Sequence, residues 1–520
     1  MIRTRACCLF FLITAVSAAR ADWPQWRGPS RDGVSTDTSP VASSFPEAGL
    51  KKVWESEFIP SDHYGGHGSP VIAGERAFLS VVWHERVPSE VREIDTEVMQ
   101  QLNHRGVNEE LAKKMEEARL TMSPRLRGEK LEEWITAWTD ANLSDKEKVS
   151  LASWVASRFR AGRTALPLGD LDKVSKRQGK PFPNLAAMKE WMVAEGLSPE
   201  VQEKLLSSVP NTIKVAKDAV VCLDMATGKQ AWKFEAEGKP TGRKSSSTAA
   251  VVDGRVYAVG STHLYCLDEK DGTLKWRTAL PSEGAAASPL VVGERVYLAA
   301  GSAVALDTAE GKIVWDQKKV RGDTSSAQLW KPASAEEVLV INGNGGLYGL
   351  RPADGEVLWT VEGGGQSTPV MDGDWLVIYS GTKDVGLRAY KAKAGGAPET
   401  VWSNFWVTLR YTGSPIIHEG HVYLCCGGKH QCVELESGKV KWSETVNSTI
   451  TSPLIVDGKI LVLENNGTHL RMIKTDPAAY QQLGRAKADA MGCTSPALSN
   501  GRIVVRNKEK LICYDLRPEK

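Results

Sequence analysis

The residues best able to do chemistry sit in short polar stretches. Asp62, His63 and His67 offer a carboxylate and two imidazoles, a set that suits a transition metal. Gly65-Gly66 between the histidines argues for a loop rather than a helix face. Glu464-Asn465-Asn466 is the best oxygen cluster for a hard cation. Arg243-Lys244 and Arg410 suit an anionic ligand. Gln328, Trp330, Gln366, Trp406, Tyr411 and Asn447 add polar and aromatic candidates, as do Asn342 and Asn344. Each also has a plain structural reading, as a polar turn or a solvated charge. Which reading holds depends on the elements that position them.

Two further motifs carry no chemistry. Arg321-Gly322-Asp323 falls where a turn is expected, and Gly343-x-Gly345-Gly346 joins two strands rather than a strand and a helix. No cysteine pair has C-x-x-C zinc spacing, and no C-x-x-C-H haem site exists.

A repeat supplies the framework. A carboxylate, a Gly four residues on and a Trp four residues further recur as Asp224-Gly228-Trp232, Asp268-Gly272-Trp276, Asp307-Gly311-Trp315 and Glu434-Gly438-Trp442. Gly355-Trp359 is a fifth copy, with Arg351 in the acidic place. Each unit opens on a small or hydroxyl residue, usually before Pro, as in Ser69-Pro70, Ser288-Pro289, Thr368-Pro369, Ser414-Pro415, Ser452-Pro453 and Ser495-Pro496. A short apolar run then meets a tight-hairpin dipeptide such as Asp253-Gly254, Asp457-Gly458 or Asn500-Gly501. Four short strands every ~40–45 residues predict propeller blades. Eight units follow, with first strands near Ser69, Thr248, Ser288, Gln328, Thr368, Ser414, Ser452 and Ser495. The seventh has no Trp, and the eighth stops after its third strand. Lys51-Lys52-Val53-Trp54-Glu55 is the predicted closing strand, which would cover the last open edge.

The fold expected is all-β, an eight-bladed propeller with an α-helical insertion in the first blade. The expected divisions are 1–21, a signal peptide; 22–49, a segment packing on the propeller; 50–84, the closing strand and the start of blade 1; 85–215, the insertion; and 216–520, the rest of the propeller. Arg3 and Arg5 precede an apolar core, with Ala19-Arg20-Ala21 as the cleavage site. In the insertion, Leu131, Trp134, Ile135 and Trp138 make a one-face stripe, and Ser144 with Glu147 reads as a capping box. Strand order places the insertion on the face where inner strands begin, partly capping the channel mouth. Cys222, Cys266, Cys432 and Cys513 recur in a slot that Ala305, Gly349 and Ala389 fill elsewhere, so they read as small packing residues.

The chain has 17 Trp against 9 Phe and 11 Tyr, and the repeat accounts for most of that excess. Trp54, Trp232, Trp276, Trp315, Trp359, Trp402 and Trp442 are the predicted blade-docking residues. Trp330 and Trp406 fall near the predicted mouth instead. The net charge of +2, with no basic concentration, argues against a dedicated nucleic-acid binder. No apolar run long enough to cross a bilayer, about 18 residues, follows the N-terminal stretch.

The phrase Leu223-Asp224-x-x-Thr227-Gly228-x-x-x-Trp232 resembles the tryptophan-docking repeat of pyrroloquinoline-quinone (PQQ) propellers. Asp22-Trp23-Pro24-Gln25-Trp26-Arg27-Gly28-Pro29 resembles the opening of secreted bacterial PQQ-like repeat proteins. The resemblance implies that each docking Trp locks neighbouring blades, and it implies two functional branches. One is the quinoprotein alcohol and sugar dehydrogenases, which need PQQ, a calcium-like ion and an Asp base. The other is cofactor-free scaffolds like the outer-membrane assembly factor BamB. No calcium-ligand or catalytic Asp motif of the first branch matches here, and Cys425-Cys426 lies too late for that family's vicinal disulfide. The expectation is therefore an exported periplasmic or extracellular binding or scaffolding module without its own catalysis. Its partners would be proteins or a small ligand at the channel mouth, with no nucleic acid, no membrane span and no cofactor. The alternative is a PQQ- and calcium-dependent dehydrogenase; a third reading is carbohydrate recognition or processing at the mouth.

Overall fold

A computed structural model describes residues 22–59, 65–241, 244–382, 385–406, 408, 412–446 and 451–519. The predicted signal peptide lies outside them. The described chain forms eight four-stranded antiparallel sheets, each a consecutive meander save one. That one pairs Lys51–Glu55 with Leu511–Asp515, so the N-terminal strand closes the eighth blade as predicted. Local chemistry drives the meander. Asp253-Gly254, Asp457-Gly458 and Asn500-Gly501 place both turn residues at positive φ (50°/72°, 47°/66° and 52°/68°), which matches the twist of the strands they join.

Each docking tryptophan lies on the fourth strand and reaches the next blade. Trp54, Trp232, Trp276, Trp315, Trp402 and Trp442 donate Nε1–H to the carbonyls of Met225, Glu269, Thr308, Pro352, Leu435 and Asp476, at 2.7–3.1 Å. In blade 7 Gly484 occupies the tryptophan's register position, opposite Met472. Phe45 of the N-terminal segment lies against it: a Cβ on Gly484 would come within 2.9 Å of Phe45 Cδ2.

The inner strands meet around the channel in a belt of hydroxyls. The N–H of Ser69 donates to Thr248 Oγ1 at 2.9 Å, and the same link joins Thr248 to Ser288, Ser288 to Ser326, Ser326 to Thr368, Thr368 to Ser414, Ser414 to Ser452, and Ser495 to Ser69, at 2.9–3.4 Å. This is the physical reason seven of the eight units open on Ser or Thr, the hydroxyl of Ser495 making no such bond among the described residues. The side chain satisfies a buried backbone N–H of the preceding blade, which would otherwise be desolvated without a partner.

The N-terminal motif plugs the channel from the end opposite its mouth, and residues 22–37 bond to all eight blades. Trp23 pairs with Ile72, and Pro24 O accepts from Val251 N. Arg31 donates to Pro289 O (2.8 Å), Ser288 O and Ala327 O (both 3.3 Å). Trp26 Nε1 donates to Thr368 Oγ1 (3.1 Å), and Arg27 donates to Pro415 O. Ser35 N donates to Ile455 O, and Gly501 N to Asp37 Oδ2. Arg27 and Arg31 are both buried, and burial lowers their pKa to about 10 and about 9.

The insertion leaves blade 1 on a long hairpin, Arg76–Pro88 paired with Thr212–Asp224. Seven α-helices lie between, from Thr96–Gln101 to Pro199–Ser208. Ser144 and Glu147 form the capping box. The helices bury their own core, in which Trp134 and Trp138 meet Phe159 edge-on at 5.1 and 4.8 Å.

The cysteine slot has a consequence for pH. Burial pushes the Cys222, Cys266 and Cys432 thiols up to about 11, and Cys513, Tyr257 and Tyr514 up to about 12. A raised folded-state pKa gives stability that is full below the unfolded value and is lost as pH rises through the folded one. Arg27 and Arg31 act in the opposite sense above pH 9, because the unfolded chain holds their protons longer. Two guanidiniums do not offset four thiols and two phenols. Urea midpoints should therefore fall between about pH 8 and about pH 11; a flat profile would refute the thiol and phenol account.

Candidate functional site: the channel mouth

In a meander, the loop leading into strand one and the loop between strands two and three share one face. That face carries the mouth, a cavity of 480 Å³ whose lining includes Trp26, His67, Lys244, Asp323, Gln366 and Cys493. Trp26 is its floor, held by Thr368. The hydroxyls of Thr248, Ser288, Ser326, Thr368, Ser414 and Ser452 also face it. The cavity is thus a neutral hydrogen-bonding bowl with one cation and one carboxylate among its described lining residues.

His67 is buried and held in place: its Nδ1 meets Gly492 O at 2.8 Å and its N–H donates to Ser246 Oγ at 2.9 Å. Lys244 belongs to the mouth and also to a second hollow of 430 Å³, walled by the insertion (Asp95, Gln100, Gln178) and by Thr241 of the loop into blade 2. The insertion therefore stands at the rim of the mouth, beside blades 1 and 2. Ion pairs of Lys214 with Glu97 (2.8 Å) and Asp95 (3.4 Å) tie its first helix to the hairpin arm.

Gln366 lines the mouth. Trp406 lies on the mouth side of blade 5, stacked on Tyr379 at 5.4 Å, with the Lys429 ammonium 5.5 Å from its ring centre. Asp62, His63, Arg243, Arg410, Tyr411 and Asn447 lie outside the described residues.

Four expectations need correction. Gln328 is a structural residue: its Nε2 donates to Arg31 O (2.8 Å) and Pro369 O (3.2 Å), holding the plug. Trp330 is at the opposite face, where its Nε1 donates to Gly373 O at 2.9 Å. Glu464 is not available to a cation, because it is buried and paired with Arg471 and with Arg485 at 3.1 Å. His430, 3.9 Å from Glu464, is held neutral by burial, its pKa lowered to about 3. Asn465 donates to Thr468 Oγ1, and Asn466 sits at φ 56° in a short helical turn, so the trio forms a turn rather than a cation site. Trp359, predicted to dock, does not reach the next blade.

Asp323, Cys493 and Trp26 were not singled out as mouth residues. Cys493 did carry a signal: of the seven cysteines among the described residues, it alone falls outside both the packing slot and the Cys425-Cys426 pair. Asp323 O accepts from Ala286 N (2.6 Å) and Ala287 N (2.9 Å), so its tripeptide is a between-blade turn. Among the described residues, no group of three His, Cys, Asp or Glu is placed to hold a metal ion. A calcium-bound quinone needs several carboxylate or amide oxygens converging on one ion. Among the described lining residues Asp323 and Gln366 supply too few, so these residues do not fit that group.

The fold and mouth define a class: a propeller of tryptophan-docked repeats, plugged at one end and open at the other. The family model described as outer membrane protein assembly factor BamB matches residues 216–362 and 299–518. These matches cover more than half of the chain, which belongs to this PQQ-like propeller family. It is 26% identical to BamB of Yersinia pestis, over 56% of this chain and 78% of that protein. It is 24% identical to BamB of Salmonella typhimurium, over 50% of this chain and 81% of that protein. It is 27% identical to a tetrathionate hydrolase of Acidithiobacillus ferrooxidans, over 41% of each. The crystal structure of BamB from Moraxella catarrhalis aligns with TM-score 0.46 at 19% identity, covering 58% of this chain and 90% of that one.

Proposed function

We propose that the chain is an exported scaffold whose mouth face binds protein partners in the cell envelope, without catalysis or cofactor of its own. The observation that carries this reading is the position of Lys244. It lines both the mouth cavity and the cleft beside the insertion, so the two hollows adjoin on one face. The insertion also exposes the apolar side chains Leu120, Val193 and Leu206. The relatives described as assembly factors support the same reading. The plug supports it too: a sealed channel gives a shallow bowl that admits a side chain or loop.

The experiment places a photo-crosslinking residue at Gln366 in the full chain, in its native envelope. Discrete protein adducts are expected, and Lys244→Glu should reduce them several-fold. A parallel assay adds PQQ and Ca²⁺ to the purified protein. Stoichiometric retention of quinone with turnover of an alcohol or sugar would overturn the reading.

A further inference from the structure

One blade junction breaks the docking rule, and the break leaves a pocket. Trp54, Trp232, Trp276, Trp315 and Trp402 lie on Gly228, Gly272, Gly311, Gly355 and Gly438 of the following blade, so close that a Cβ on any of these glycines would come within 2.3–2.7 Å of the indole. The five glycines share φ between 71° and 76°. Blade 5 has its own docking glycine, Gly395, four residues after the position of the acidic residue and at φ 70°. Nothing lies within 4 Å of the Cβ it would bear. Trp359, the tryptophan that should cover it, has folded back onto its own blade. A Cβ on Gly349 would be 2.0 Å from Trp359 Cε2.

Side-chain volume explains the collapse. In blades 2, 3 and 6 the cross-strand pairs beside the tryptophan are Tyr257–Cys266, Tyr297–Ala305 and Tyr423–Cys432. Val at the first position is compatible with docking, since Trp402 and Trp54 dock beside the pairs Val377–Ala389 and Val504–Cys513. In blade 4 the pair is Val340–Gly349, and the missing Cβ at Gly349 leaves the hole that the indole fills. Trp330 then bridges to blade 5 in its place. Among the described residues, Trp359 Nε1 has no acceptor, and nothing donates to the carbonyl of Ala392, which follows the acidic position in blade 5. The result is a cavity of 570 Å³ walled by Trp330, Leu358, Trp359, Ala394, Gly396 and Pro398. It lies between turns one-to-two and three-to-four, on the face opposite the mouth.

We infer that this vacated slot binds the indole side chain of a tryptophan presented by a partner protein. The sister junctions show what the slot fits: a flat aromatic ring on a bare glycine, with an N–H at its edge for the turn carbonyl. Gly395 and the Ala392 carbonyl supply both halves, and the indole is the large apolar ring with a single N–H that the sister junctions place there. At the rim Lys393 pairs with Glu399 and Glu336 adds one carboxylate, so recognition rests mainly on shape and this one hydrogen bond. The inference does not rest on the mouth-face reading, since the site is on the other face.

The test uses the full chain and a short peptide, acetyl-Gly-Ser-Trp-Ser-Gly-amide, carrying 5-fluorotryptophan and followed by ¹⁹F NMR. The native protein should broaden and shift the signal, and a leucine counterpart should not compete. Gly349→Ala fills the hole with the methyl group that Ala305 and Ala389 carry in sister blades. It should send Trp359 across to Gly395 and weaken peptide binding at least about tenfold, the scale of losing one buried aromatic contact. Its thermal midpoint should not fall below the native one. If that variant fails to fold, Gly396→Trp fills the pocket from its other wall and should give the same loss. Gly106→Trp, at an open glycine in the insertion, should leave binding intact. Equal affinity for tryptophan and leucine peptides, or full binding by both pocket variants, overturns the inference. A native dimer that Gly349→Ala dissolves, without affinity for the peptide, overturns the partner in favour of a second copy. Mouth crosslinks at Gln366 should be unchanged in Gly349→Ala, which keeps the two tests separate.

Discussion

Arg31→Ala is expected to destabilise the propeller by about 4 kcal/mol, balancing opposed terms. The guanidinium donates to three buried carbonyls on blades 3 and 4. Losing charge-assisted bonds costs roughly 1.5–3 kcal/mol each. Truncating so large a buried side chain adds roughly 2–5 kcal/mol through the cavity left behind. One term opposes these. Arg31 is charged at neutral pH although burial lowers its pKa to about 9, and removing it relieves that desolvation. From the usual 12.5, the shift corresponds to about 5 kcal/mol at ~1.4 kcal/mol per unit. The losses exceed the relief. Urea unfolding of the native and variant chains measures the difference. Arg31→Lys should recover less than half of it, because an ammonium cannot fork between carbonyls of two blades. The variant should also expose residues 22–37 to trypsin. A variant as stable and as resistant as the native chain would mean the plug is an ornament on a self-sufficient ring.

The plug also marks the boundary of what can be read from a single sequence. The Trp23–Pro29 motif is visible, but its partners are not: Arg31 bonds to carbonyls at Ser288, Pro289 and Ala327, more than 250 residues away. The blades, their number and their closure are legible because their signals are local: Asp-Gly turns, Ser-Pro starts and a Gly four residues before a Trp. The site residues are less so. Trp330 is two residues from Gln328, yet inner strands here are three residues long, so roughly 7 Å of rise carries it to the opposite face. Glu464 looks like a cation ligand until the adjacent strands bring Arg471 and Arg485 against it. Trp359 keeps the phrase Gly355-Trp359, but its failure to dock is written in Gly349, on the neighbouring strand. Cross-strand volume is invisible to a pattern that runs along the chain.

Trp54→Ala and Trp359→Ala should differ, and the difference isolates docking from simple burial. Both indoles are almost fully buried, at 7% and 9% exposure. Trp54 lies on Gly228 and donates to Met225 O at 2.8 Å, joining the closing strand to blade 1. Its loss removes a large core side chain, about 3–5 kcal/mol, and orphans a turn carbonyl, about 1 kcal/mol more. The ring is then held at its seam mainly by the strand pairing of Lys51–Glu55 with Leu511–Asp515. Unfolding of Trp54→Ala should therefore be less cooperative, with a smaller denaturant dependence. Trp359 packs on its own blade and makes no bond across the junction, so its removal should cost about half as much and leave cooperativity unchanged. Equal losses in the two variants, with equal cooperativity, would show that the indoles act only as core volume and that strand pairing alone keeps the blades in register.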